Sequence, residues 1–148
     1  MNKKWQKEVI EKISQSENKN ISFVMANIKD VIILDLNDNA GILKEKIRGS
    51  KNTYFPVSDG NKENLIGIIN IKDILENALS GLKIDLKEGI HEPVYFSEGQ
   101  SIQQAFSVFM QSNIRAAFII NKENNITGFL SIQDIVNYLL GNKSCNPE

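Results

Sequence analysis

One cysteine and one histidine, Cys145 and His91, occur in this chain of 148 residues. A disulfide framework or a Cys/His zinc site needs more than that. Cysteine this scarce fits a reducing, cytoplasmic setting. Neither residue has a catalytic partner visible in the sequence, so no Ser-His-Asp or Cys-His set can be written. There is no Walker-type glycine loop and no cluster of metal ligands. The chain therefore reads as a non-enzyme that requires no metal and no resident cofactor. Lys and Arg number 17 against 18 Asp and Glu, a formal net charge of −1. That balance lacks the basic footprint of a nucleic-acid binder. No apolar run nears the roughly 20 residues that span a bilayer. Met1-Asn2-Lys3-Lys4 is not followed by the apolar core of a secretory signal. Hydrophobic residues at 41% and charged residues at 24% exclude disorder as the default.

What is present is a segment that occurs twice. Residues 65–75 read L-I-G-I-I-N-I-K-D-I-L and residues 126–136 read I-T-G-F-L-S-I-Q-D-I-V. The step from Gly67 to Asp73 equals that from Gly128 to Asp134. An internal repeat of fixed spacing implies two copies of one small unit. Each copy alone buries little surface, so the copies are expected to pack together, with function in the crevice between them.

Apolar spacing sets the expected order of elements. Residues 3–16 predict a lead-in helix with Trp5, Val9, Ile10 and Ile13 on one face. Val31 to Leu34 predicts a strand, and Asn37 to Asn39 caps for a helix through Arg48 with Ile42, Leu43 and Ile47 inward. Gly49 closes that helix. Tyr54 to Val57 and Leu65 to Ile69 are strands, and Lys72 to Leu79 is a helix. The second copy repeats this: a strand at Val94 to Phe96, then a Ser101/Gln104 capping box. Behind the box come Ile102, Ala105, Phe106, Phe109 and Met110 at helical spacing. Strands at Phe118 to Ile120 and Ile126 to Leu130 and a helix from Ile132 to Leu140 complete it. The expected fold is α/β of the mixed α+β kind, two β-α-β-β-α repeats. The expected divisions are 1–20 lead-in helix, 21–81 first repeat, 82–92 connector, 93–141 second repeat and 142–148 tail.

The junction between the last strand and last helix of each repeat carries the chemistry. A helix N-terminus offers free N–H groups and the positive end of a dipole to a phosphate. In the second copy Ser131 adds a hydroxyl there, and Asp134 lies about one turn on. A carboxylate so placed can accept both hydroxyls of a ribose. Gly128 removes a side chain where another group must come close. The plain alternative is structural: Ser131 as N-cap and Asp134 as the acid that completes a capping box.

These motifs resemble a tandem pair of cystathionine-β-synthase (CBS) domains, a Bateman module, over residues ~20–141. The family motif, Gly-apolar-x-Thr/Ser-x-x-Asp, is matched at Gly128, Ser131 and Asp134. In the first copy Gly67 and Asp73 match, and Asn70 replaces the hydroxyl residue. Phe23-Val24-Met25, Asp30-Val31, Leu34-Asp35, the run at 54–57 and Lys72-Asp73-Ile74-Leu75 are similar to the CBS pairs of hemolysin-like, magnesium/cobalt-efflux-type transporters. Ala26-Asn27-Ile28 departs from that group's Thr-Pro-Arg. The resemblance implies pseudo-two-fold symmetry, a homodimer, and an adenine nucleotide such as AMP, ADP or ATP, with or without Mg²⁺, as regulatory ligand. It implies a membrane transporter domain in the same or a partner chain. Asp134 would hold the ribose and Ser131 the phosphate, with His91, Pro93, Val94 and Ala117 near the adenine and Arg115 reaching phosphate. A weaker site would use Asp73 and Asn70, with Val31, Tyr54 and Phe55 by the base. Arg115 reads equally as a surface or interface charge, and His91 as a loop residue. Two further readings stand beside nucleotide regulation: a structural dimerisation module with degenerate sites, and a sensor linked to Mg-nucleotide.

Overall fold

The structure is a computed structural model that describes residues 7–8, 11–12, 19–79, 81 and 84–141. Trp5, Val9, Ile10, Ile13 and Cys145 lie outside the described residues. Of the expected lead-in helix only Lys7, Glu8, Glu11 and Lys12 are described, all helical and exposed.

Among the residues described from Lys19 onward, seven strands and five α-helices follow in order. They are β1 (Ala26–Asn27), β2 (Leu34–Asp35), α1 (Ala40–Arg48), β3 (Tyr54–Ser58), β4 (Leu65–Asn70), α2 (Ile71–Leu79), α3 (Leu86–Gly89), β5 (Tyr95–Ser97), α4 (Ile102–Gln111), β6 (Ala116–Ile120), β7 (Ile126–Ser131) and α5 (Ile132–Leu139). Two 3₁₀ turns, Ile21–Phe23 and Ile28–Asp30, flank β1. The mixed α+β class and the repeated β-α-β-β-α order are as expected.

The chain divides into two compact units. Residues 30–93 form one, here the Asp73 unit; the segment up to Lys29 joins residues from Val94 onward in the other, the Asp134 unit. In the Asp73 unit the sheet order is β2-β3-β4. β2 and β3 are parallel and joined through α1, and β3 and β4 are antiparallel. The core is Leu34, Leu43, Phe55, Val57, Ile69, Ile74 and Leu86. In the Asp134 unit the order is β1-β7-β6-β5, with β5 and β6 parallel through α4. Its core includes Ile21, Phe96, Ile102, Ala105, Phe109, Leu130 and Ile135.

Residues 21–29, the start of the expected first repeat, pack with the second. Ile21 is fully buried in that core, and β1 pairs with β7. Conversely, α3 and His91 precede the second repeat and pack with the first. Leu86 is buried there, and His91 bridges Ile68. The expected connector is thus part of a folded unit.

Several local expectations shift. The strand expected over residues 31–34 is only Leu34–Asp35, because the Ile33 carbonyl accepts from Lys46 Nζ at 2.8 Å instead of a neighbouring strand. Ile42, expected inward, and Met110, expected in the core or at a dimer interface, are exposed, while Leu43, Ile102, Ala105, Phe106 and Phe109 are buried. Gly49 caps α1 with φ −80°, whereas Gly81 and Gly141 adopt positive φ. The Ser101/Gln104 capping box is present in both directions.

Candidate functional site: two strand–helix junctions

Each repeat ends with a strand that passes directly into a helix, and the first helical N–H is pinned from behind. Ile132 N donates to the Arg115 carbonyl at 2.9 Å, and Ile71 N donates to the Thr53 carbonyl at 2.7 Å. The register is the same in both units: Ser131 opposes Ala116 and Asn70 opposes Tyr54. The two junctions are built alike in backbone and differ in side chains.

At the Asp134 junction Ser131 and Asp134 cap each other. Ser131 Oγ accepts from Asp134 N at 3.3 Å, and Asp134 Oδ2 accepts from Ser131 N at 2.9 Å. The structural alternative for this pair is therefore realised. It does not exhaust the two groups. The Ser131 side chain also hydrogen-bonds the Asp134 carboxyl, whose remaining lone pairs have no other partner among the described residues. Burial pushes the Asp134 carboxyl above its ordinary value, and the hydrogen bonds with Ser131 work against that.

Gly128 does meet a close neighbour, and the neighbour is protein. A Cβ there would overlap Met25 Sδ and sit 3.0 Å from the Ala26 carbonyl oxygen. Gly67 is its counterpart: a Cβ would overlap Ile90 Cγ2 and lie 2.6 Å from the His91 carbonyl oxygen. Both glycines let another segment lie on the last strand, one that follows β4 in sequence and one that precedes β7. Sequence reasoning missed Met25 and Ile90 here. The signal available was the repeated glycine itself, one per copy, inside a strand.

Nη1 of Arg115 is turned to the protein. It donates to the carbonyls of Phe109, Ser112 at 2.8 Å and Ile114 at 3.0 Å, closing the end of α4. Ala117 and Phe55 are fully buried core residues of their units, so neither presents its side chain to a base. Val94 is half-buried against the Asp134 core, and its carbonyl accepts from Phe118 N at 2.8 Å. Val31 and Tyr54 are half-buried in the Asp73 unit, where Pro93 also belongs.

The Asp73 junction departs from its twin. Asn70 Oδ1 accepts from Lys72 N at 2.9 Å rather than capping at Asp73. The Asp73 carboxylate faces His91, with Nε2 to Oδ2 at 3.8 Å. His91, expected beside Ser131, is therefore in the unit of Asp73. Likewise Ala26-Asn27, expected to bear on the first site, lies on β7 in the unit of Asp134. Among the described residues no group of three or more His, Cys, Asp or Glu could hold a metal ion. None of the described helices is long and apolar enough to cross a membrane.

Comparison with known proteins places this architecture. A polyamine export protein of Salmonella typhimurium (strain 14028s / SGSC 2262) is 23% identical over 141 residues, 94% of this chain and 32% of its own length. The CBS domain of a bacterial CNNM/CorC family Mg²⁺ transporter, solved in complex with ATP, matches with a TM-score of 0.73 at 16% identity, covering 92% of this chain and 97% of that one. A CBS-domain pair from Klebsiella pneumoniae with bound AMP matches with a TM-score of 0.70 at 12% identity, covering 83% of this chain and 99% of that one. At these identities the two structures speak for the fold alone. The chain spans well under half the length of the curated relatives it matches, from 26% to 42%. The CBS domain family itself matches residues 19–80 and again 86–141. With both repeats matched and nearly all of the described fold covered, the chain belongs to the CBS domain family, as a tandem pair.

Proposed function

We propose that this CBS pair is a regulatory module that binds an adenine nucleotide at its strand–helix junctions and passes occupancy to an attached or partner transporter. The observation that carries the reading is the state of Ser131 and Asp134. The capping box turns the Ser131 side chain onto Asp134, and leaves carboxylate lone pairs beside the N–H groups of a helix N-terminus. Those are an acceptor for a ribose hydroxyl and a donor for a phosphate oxygen. The ATP- and AMP-bound CBS neighbours and the export-protein relative support the ligand class and the setting. Regulation requires that the nucleotide favour one arrangement of the whole protein over another. A homodimer and an accompanying Mg²⁺ belong to the same proposal.

A melting-temperature screen with AMP, ADP and ATP tests it. A ligand at 100 times its dissociation constant adds about 2.7 kcal/mol. A clear upward shift that Asp134→Ala removes supports the reading. No shift with any of the three sinks it. That result would favour the second reading, a structural dimerisation module, for which the closed capping box is itself the argument: helix initiation alone accounts for both residues.

A further inference from the structure

The two junctions place their acids by different means. Asp134 is held by the backbone N–H of Ser131. Asp73 has no such tie. Among the described residues its side-chain partner is the imidazole of His91, 3.8 Å away, with the Asp73 and His91 side chains 40% and 69% exposed. That imidazole hangs from a fixed backbone. His91 N donates to the Ile68 carbonyl at 2.9 Å, and Ile68 N donates to the His91 carbonyl at 3.2 Å. Gly67 beside it lets His91 come this close. The register equivalent is informative: His91 opposes Ile68 as Ala26 opposes Phe129. In the Asp134 unit that position carries only a methyl group, and there the capping box does the holding.

Resting on the nucleotide reading above, we infer that His91 is the positioning residue of Asp73: it orients the carboxylate for a sugar diol, the task that the Ser131 N–H performs for Asp134. The Asp73 junction is then a working site that reached the same end without a hydroxyl cap. An exposed pair of this kind has a small effect, about threefold in affinity.

The test is ATP binding by isothermal titration calorimetry in two backgrounds, with each unliganded melting temperature recorded. In Asp134→Ala, which leaves the Asp73 junction, His91→Ala should raise the dissociation constant about threefold, and His91→Gln, a neutral donor, should recover most of the loss. In Asp73→Ala, His91→Ala should change nothing. An equal effect in both backgrounds, or none in either, overturns the assignment. If Asp73→Ala by itself leaves ATP binding of the otherwise natural chain untouched, the nucleotide reading of this junction fails and the inference with it. Binding that depends on Asp73 and ignores His91 overturns the inference alone.

Discussion

Gly67 lies against His91 so closely that a Cβ would stand 2.6 Å from the His91 carbonyl oxygen and overlap Ile90 Cγ2. Its twin, Gly128, meets Met25 Sδ and, at 3.0 Å, the Ala26 carbonyl oxygen. The difference between the two obstacles has a measurable consequence. At Gly67 one obstacle is main chain, which cannot swing aside. At Gly128 the nearest is the far end of a flexible side chain. Gly67→Ala should therefore destabilise by the larger amount, and each by about 1–3 kcal/mol, the scale of overpacking. Urea denaturation of both variants measures it. Met25→Ala should relieve much of the cost at Gly128, and equal costs at the two glycines would contradict the geometry.

Asp35 supplies a pH-dependent element of stability. Its carboxylate accepts from Ser58 Oγ at 2.6 Å, from Asn37 N at 2.8 Å and from Gly60 N at 3.0 Å. These bonds, the Ser58 hydroxyl first, hold its carboxyl below the ordinary value of 3.8 despite some desolvation. A depressed carboxyl contributes stability that is complete above the unfolded value and is lost as the pH falls through the folded one. Asp35→Asn should lower the melting temperature at about pH 6–7, and the gap to the natural chain should shrink below about pH 4. A gap that stays constant across that range would show that the charge plays no part.

Arg115 makes a prediction that separates helix closure from ligand binding. Its Nη1 gathers three carbonyls at the end of α4. Arg115→Ala should therefore destabilise the unliganded protein by about 1–3 kcal/mol, the scale for bonds from a charged donor, and lower its melting temperature. Arg115→Lys should recover part of it, since an ammonium can reach fewer of the three at once. An unliganded melting temperature unchanged by Arg115→Ala would return the residue to the role expected from sequence.

Much of this was legible in one dimension. The repeat from Gly67 to Asp73 and from Gly128 to Asp134 announced two copies of one unit, because backbone order and caps are local properties written in adjacent residues. The Ser101 and Ser131 capping boxes could be read from spacing, since the partners are three residues apart. Ile42, expected inward, faces solvent for a related reason. Helical spacing places a residue at the edge of an apolar face but does not say how far the face is covered.

The sequence by itself determined the mixed α+β class, the duplication and the two candidate acids, Asp73 and Asp134. Only the tertiary structure decided which segment completes which repeat. Residues 21–29 close the unit of Asp134, while α3 and His91 close the unit of Asp73. Those segments are too short to carry a period, and their hydrogen bonds reach across long stretches of chain, as from Ala26 to Phe129. The same reach set His91 beside Asp73, and so gave the two acids unlike surroundings on a common backbone frame.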